Sequence, residues 1–271
     1  MPDSAIPSAK GRVRLARVLR AAGDLVTVDD AAGALDVDRR TAAKLLARWA
    51  EQGWLKRLRR GVYSPIPVDA VSAERTLENP WVLVPELFSP GYVGGWSAAE
   101  HWNLTEQIFR EVCVFTARSF RHKREVFEGI GFVLNRTQED HLFGLDTVWE
   151  ASVRIPLSDP HRTILDMLTR PAVGGGIRHV EGCFQTYLGA SISDLGKLIE
   201  YADRLGNGAV FKRLGFLLER TETRDDWAVR VCQDRMSAGH AKLDPALPAN
   251  ALVRRWRLWV PASWQEQTSD D

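Results

Sequence analysis

The side chains with the clearest chemical purpose lie between Arg39 and Arg60: Arg39, Arg40, Thr41, Lys44, Arg48, Lys56, Arg57, Arg59 and Arg60. Guanidinium and ammonium groups are pure donors, suited to phosphate oxygens and to the acceptor edge of guanine. Steps of four from Arg40 through Lys44 to Arg48 hold three cations nearly in line on one side of a helix. The opposite side of that helix, Ala42, Leu45, Leu46 and Trp49, is apolar at i, i+3, i+4 and i+7. After Gly53 the period changes. Trp54–Leu58 and Val62–Ser64 read as two short strands joined by Arg59-Arg60-Gly61. A cationic helix followed by a hairpin with a cationic tip is the pattern of a winged helix, with the helix in the major groove and the wing along the phosphates. Arg39, Arg40, Thr41 and Lys44 are then expected to reach base edges, and Arg48, Lys56, Arg57, Arg59 and Arg60 to meet phosphates. The plainer reading is an ordinary solvated helix face. Against it stand the shared stripe and the further cations on the hairpin that would flank it.

The elements that must hold this stripe in place are written locally. Thr27 is a candidate helix cap, with Asp30 three residues on as a short version of the capping box. Asp29 and Asp30 fall in the first turn, where the helix dipole favours negative charge. Val28, Ala31, Ala32 and Leu35 give that helix its apolar face. Leu35-Asp36-Val37 is the turn, and Asp38 caps the next helix. An earlier helix spans Arg12 to Ala22, buries Leu15, Val18, Leu19 and Ala22, and is stopped by Gly23. Residues 1–10 read as a polar arm. Ser64-Pro65-Ile66-Pro67 closes the wing and reads as a linker, so the N-terminal domain is expected to cover residues 1–67.

Catalytic patterns were sought elsewhere. Asp36-Val37-Asp38 has the form of a metal-binding DxD, but both aspartates have local structural roles in the turn and the cap. Gly174-Gly175-Gly176 is not followed by the Lys-Ser/Thr of a phosphate cradle. No two histidines stand at HxxxH or HxxH spacing, and no lysine has a carboxylate two positions before it, as a strand-borne nuclease motif requires. No GxSxG is present. No catalytic residue, metal or cofactor is expected.

The formal net charge of +1 over 271 residues hides an asymmetry: residues 1–67 sum to +6 and residues 68–271 to −5. A basic module joined to an acidic one fits a nucleic-acid reader attached to a part with another task. Cys113, Cys183 and Cys232 are scattered and imply neither a disulfide framework nor a zinc site. No segment reads as a signal peptide or membrane span, so a cytoplasmic protein is expected.

The remainder, residues 68–271, is expected to be one α+β domain. Helices are read at Ala73–Glu78, Trp81–Phe88 and Trp96–Trp102, the last capped by Ser97. Strands are read at Glu111–Ala117, Arg124–Phe127, Gly131–Arg136 and Thr147–Ile155. From Asp159-Pro160, a cap followed by proline at the first helical position, the pattern turns helical: Ile177–Leu188, Ser193–Arg204 and Ala209–Thr221, with Gly206-Asn207-Gly208 as a corner. Trp256–Pro261 reads as an edge strand and the acidic tail as loose. Trp81, Trp96, Trp102, Trp149, Trp227, Trp256 and Trp259 are assigned to the core, where large aromatics usually lie.

Three patches in order resemble one family. They are Gly91-Tyr92-Val93-Gly94-Gly95-Trp96-Ser97-Ala98-Ala99 with Trp102-Asn103-Leu104-Thr105-Glu106, then Asp159-Pro160-His161-Arg162-Thr163-Ile164-Leu165-Asp166, then Gly206-Asn207-Gly208-Ala209-Val210-Phe211-Lys212-Arg213-Leu214-Gly215-Phe216. Behind a winged helix, they are similar to the AbiEi antitoxins of AbiE-type (type IV) toxin–antitoxin systems, over about residues 12 to 221. The resemblance implies a repressor of its own operon that binds inverted repeats in double-stranded DNA, and that counteracts a nucleotidyltransferase-type toxin through its second domain. Only the winged-helix residues carry across to a role. Residues 222–271 show no family pattern. Two other readings compete: a metal-dependent nuclease guided by the winged helix, and a regulator that responds to a metabolite.

Overall fold

The computed structural model describes residues 9–22, 25–66, 79–150, 153–221 and 225–264. The arm at 1–8, the Gly23 stop, the helix read at Ala73–Glu78 and the acidic tail lie outside them. The chain divides into two compact units: Met1–Leu87 with Val126–Gly129, and Phe88–Glu125 with Ile130–Asp271. The division follows Leu87, whereas the boundary was read after Pro67, beside residues outside those described.

The first unit runs α1 (Ala9–Ala22), β1 (Val26–Thr27), α2 (Val28–Leu35), α3 (Arg39–Glu51), β2 (Leu55–Arg59) and β3 (Val62–Pro65). The strands form one antiparallel sheet in the order β1-β3-β2. This order of helices and strands is that of a winged helix. Leu15 and Val18 of α1, Ala31 of α2, and Ala42, Leu46 and Trp49 of α3 meet Val26, Leu55 and Tyr63 in one buried cluster. Removing side chains such as Leu46 and Leu55 from water contributes about 1.5–3 kcal/mol each. Pro65 belongs to β3, so the strand continues into the segment read as linker. It lies at the strand's last position, where a missing N–H costs little pairing.

After a 3-10 turn at Pro80–Val82, α4 (Leu83–Phe88) leads to β4 (Gly91–Val93) and α5 (Gly95–His101). Then come β5 (Glu111–Thr116), β6 (Arg124–Phe127), β7 (Ile130–Arg136), β8 (Leu145–Glu150) and β9 (Val153–Ser158). Strands β4 to β9 make a six-stranded mixed sheet ordered β6-β7-β5-β4-β9-β8. A helical layer follows: α6 (Pro160–Thr169), α7 (Ile177–Gly189), α8 (Leu195–Leu205), α9 (Gly208–Leu218) and α10 (Asp226–Arg235). A small sheet of β10 (Ala241–Lys242), β11 (Ala251–Val253) and β12 (Leu258–Val260) ends the described chain. The α+β class holds.

Several details differ from the sequence reading. The strand expected over Thr147–Ile155 is two antiparallel strands, β8 and β9, which no Gly, Pro or Asn separates in the sequence. Ser97 does not cap α5: the cap is Gly94, and the buried Ser97 hydroxyl instead accepts the Cys113 amide at 2.9 Å. β12 is the central strand of its sheet, not an edge. Helix α10 lies in the stretch where no pattern was read. Of the tryptophans assigned to the core, Trp256 is fully buried, but Trp149, Trp227 and Trp259 are 65%, 50% and 39% exposed. Trp149 and Trp259 stand on the solvent-facing side of their strands, and alternation decides that side regardless of residue type.

The three resembling patches supply the interior of the second unit. Tyr92, Arg162 and Asp166 meet where the sheet faces α6. The Tyr92 hydroxyl donates to Asp166 (3.0 Å) and accepts from Arg162 Nη2 (2.9 Å), while Arg162 Nε reaches Asp166 at 2.9 Å. Burial pushes the Asp166 carboxyl and the Tyr92 hydroxyl up from their usual values. In the third patch, Gly215 faces the flat of the Trp256 ring, and a Cβ there would lie 2.1 Å from ring carbons.

Candidate nucleic-acid interface

The interface is built on two caps. Thr27 and Asp30 form a reciprocal capping box: the Asp30 amide donates to Thr27 Oγ1 at 3.1 Å, and the Thr27 amide donates to Asp30 Oδ2 at 2.9 Å. Asp36 adopts a left-handed conformation with φ 55°, and Val37 N donates back to the Ala32 carbonyl at 3.1 Å, which closes the turn. Asp38 then caps α3, accepting the Thr41 amide at 3.0 Å and the Thr41 hydroxyl at 2.6 Å. The Thr41 hydroxyl, with its amide, holds the Asp38 carboxyl below its usual 3.8. Both aspartates of the DxD are therefore used by the turn. Among the described residues no group of His, Cys, Asp or Glu is placed to hold a metal ion.

Burial of Ala42, Leu46 and Trp49 turns the opposite face of α3 outward, and Arg40, Lys44 and Arg48 are all exposed on it. The expected ridge exists. Arg39 and Thr41, also expected to read bases, are both exposed but are engaged within the module. Arg39 Nη1 pairs with Asp29 in the first turn of α2, and Thr41 serves the Asp38 cap. An exposed ion pair of this kind holds its partners weakly.

On the wing, Arg57 and Arg60 are exposed, and Arg60 stands at the turn beside Gly61, whose φ of 85° suits glycine. Lys56 is exposed and pairs at 3.1 Å with Glu128, a residue of the same unit, so part of its charge is offset. Arg59 departs from the expectation of a fully solvated cation. The pairing register shifts between Arg57 and Arg59, the mark of a bulge, and Arg59 is half-buried.

Two cations that sequence reading set aside also belong here. Lys10 and Arg14 of α1 line a notch of about 150 Å³ together with Gly11, Leu45, Arg48, Trp49 and Gln52. Their i, i+4 spacing put them on one face, but sequence alone did not say which α3 residues that face meets.

In the second unit, one arrangement has the look of a nucleophile–base pair. Cys183 Sγ lies 3.8 Å from the His179 ring, and His179 contacts Thr105 Oγ1 at 2.7 Å and the Gly174 carbonyl at 2.6 Å. Burial pushes the Cys183 thiol up to about 11, the reverse of what a reactive thiolate needs. The three-glycine loop carries no cradle either: the α7 amide of Ile177 already donates to Asp244 Oδ2 at 3.0 Å. Among the described residues no helix is long and apolar enough to cross a membrane.

Comparison with known proteins gives two matches. Residues 13–66 match the family model described as "Transcriptional regulator, AbiEi antitoxin". Among solved structures, the fold is similar to that of the RV2827C protein from Mycobacterium tuberculosis, at 16% identity and a TM-score of 0.56, covering 95% of this chain and 93% of that one. At that identity the likeness speaks to fold alone. The sequence matches none of the curated proteins with which it was compared. The family match covers α2, α3, both caps and the wing, so the N-terminal module of this chain is that of an AbiEi-type antitoxin and transcriptional regulator.

Proposed function

We propose that the chain represses its own operon by reading inverted repeats in the promoter DNA with α3, and that it counteracts a nucleotidyltransferase-type toxin through residues 68–271. The observation that carries the DNA half is the exposed ridge of Arg40, Lys44 and Arg48, aimed by the Asp38 cap and backed by buried Ala42, Leu46 and Trp49. Arg40 and Lys44 lie in the first two turns of α3, the part of a recognition helix that meets base edges. Among the described residues neither has an ion-pair partner, so both donor sets remain for DNA. Arg48, Arg57 and Arg60 supply phosphate contacts, whose energy depends on salt but not on sequence. Lys56 and Arg59 supply less, the first being paired and the second half-buried. This reading assigns the chain no catalytic step and no cofactor, and a regulator of its own promoter works in the cytoplasm.

The toxin half rests on the resemblance of the three patches and on the acidic balance of residues 68–271. A co-expression assay tests it. The neighbouring nucleotidyltransferase alone should arrest growth, and this chain supplied in trans should restore it. Growth arrest that persists with the chain present at high level would remove the antitoxin reading.

A further inference from the structure

We propose that the notch between α1 and α3 is a seat for one phosphate group, formed by Lys10, Arg14 and Arg48. Its floor is apolar, from Leu45 and Trp49, and its rim carries those three cations and the Gln52 amide. No carboxylate lines it. Three positive side chains around one small hollow repel one another, and a bound oxyanion converts that repulsion into charge-assisted hydrogen bonds. Arginine favours this chemistry because its planar fork matches two oxygens of a tetrahedral anion.

Size narrows the ligand. At about 150 Å³ the notch is well below the roughly 300–1,000 Å³ of small-molecule pockets, so it takes a phosphate and not a base or a metabolite. The spacing is built for convergence: Lys10 and Arg14 stand one turn apart on α1, and Arg48 and Gln52 one turn apart on α3. Arg48 also belongs to the exposed ridge of α3. A backbone phosphate gripped in the notch would therefore fix the insertion depth of the recognition helix from its far end. In that form the inference rests on the DNA-reading proposal, while the oxyanion seat itself does not.

Full-length protein separates the two. Amide NMR spectra recorded during titration with inorganic phosphate should show saturable shifts at Gly11 and Gln52 that are lost in the Lys10→Ala/Arg14→Ala variant. Fluorescence anisotropy with the promoter fragment and with shuffled DNA, across a salt series, should show that variant weakened equally on both. Its log–log salt slope should be smaller by about 1 per cation removed. Loss of the phosphate shifts with an unchanged salt slope assigns the seat to a free phosphate. Loss of both assigns it to DNA. No shift in the wild type together with an unchanged slope overturns the proposal. Arg40→Ala, which leaves the notch intact, reports on the DNA-reading proposal separately. Melting curves of the double variant, whose replaced side chains are exposed, confirm folding.

Discussion

Asp38 holds Thr41 by both its amide, at 3.0 Å, and its hydroxyl, at 2.6 Å, and this single clasp sets the direction in which α3 leaves the turn. Arg40 lies between the two residues, and its outward course follows from the cap. The Thr41 hydroxyl serves the protein before it serves DNA. Thr41→Val keeps the shape and removes the hydroxyl donor. The Asp38 titration, followed by NMR, should then move upward toward 3.8, because the main cause of its depression is gone. An unmoved titration would mean that the clasp does not hold in solution.

The buried Arg162–Asp166 pair makes a second prediction. Both side chains are nearly inaccessible, and the pair is completed by the Tyr92 hydroxyl. Arg162→Met strands a buried carboxylate and should cost about 3–5 kcal/mol in urea unfolding. Adding Asp166→Leu should restore much of that loss by removing the uncompensated charge. A double variant no more stable than Arg162→Met would show that the ring and backbone contacts of Arg162, not the charge pair, hold this part together.

Glycines in helices give opposite expectations at two sites. Gly33 in α2 has open space where a Cβ would stand, so Gly33→Ala should stabilise the first unit by about 0.5–1 kcal/mol. Gly215 in α9 faces the buried Trp256 ring at 2.1 Å, so Gly215→Ala should instead cost about 1–3 kcal/mol through overpacking. Thermal melts that rank the two variants the other way would reject the packing described for α9.

Histidine protonation sets a pH window. Burial, the largest influence, lowers both His161 and His101 from the ordinary value of 6.5. Facing His161 are the Tyr187 hydroxyl at 2.7 Å and the charges of Asp159, Asp194, Asp146 and Lys197. With the folded values depressed, the unfolded chain binds protons first as pH falls. Stability should be full above about 6.5 and decline as pH drops from there toward the folded values. His161→Gln should flatten part of that decline, read from urea midpoints between pH 7.5 and 5. An equally steep decline in the variant would remove His161 as a source.

What the sequence disclosed follows a physical line. Signals that depend on neighbours within four residues were legible: the Thr27–Asp30 box, the Asp38 cap, Asp159-Pro160, and the Arg40–Lys44–Arg48 stripe. Signals set by distant partners were not. Arg39 meets Asp29 across the helix-turn-helix, ten positions away. Arg59 is turned by a register shift that only the pairing of β2 with β3 creates. Ser97 is drawn inside by the Cys113 amide sixteen positions on. The β8–β9 hairpin carries no glycine or proline at its joint, and Trp149 has the residue type of a core position on the solvent side of its strand. The notch at Lys10 and Arg14 needed the packing of α1 on α3.

The central claim, that α3 reads sequence while the wing meets phosphate, is tested most directly by anisotropy on the promoter fragment and on shuffled DNA over a salt series. Wild type should prefer the promoter. Arg40→Ala should erode that preference by about 1–3 kcal/mol. Arg60→Ala should weaken both DNAs alike and reduce the salt slope by about 1. Equal affinity of the wild type for promoter and shuffled DNA, or an Arg40→Ala variant that keeps full preference, would contradict the account.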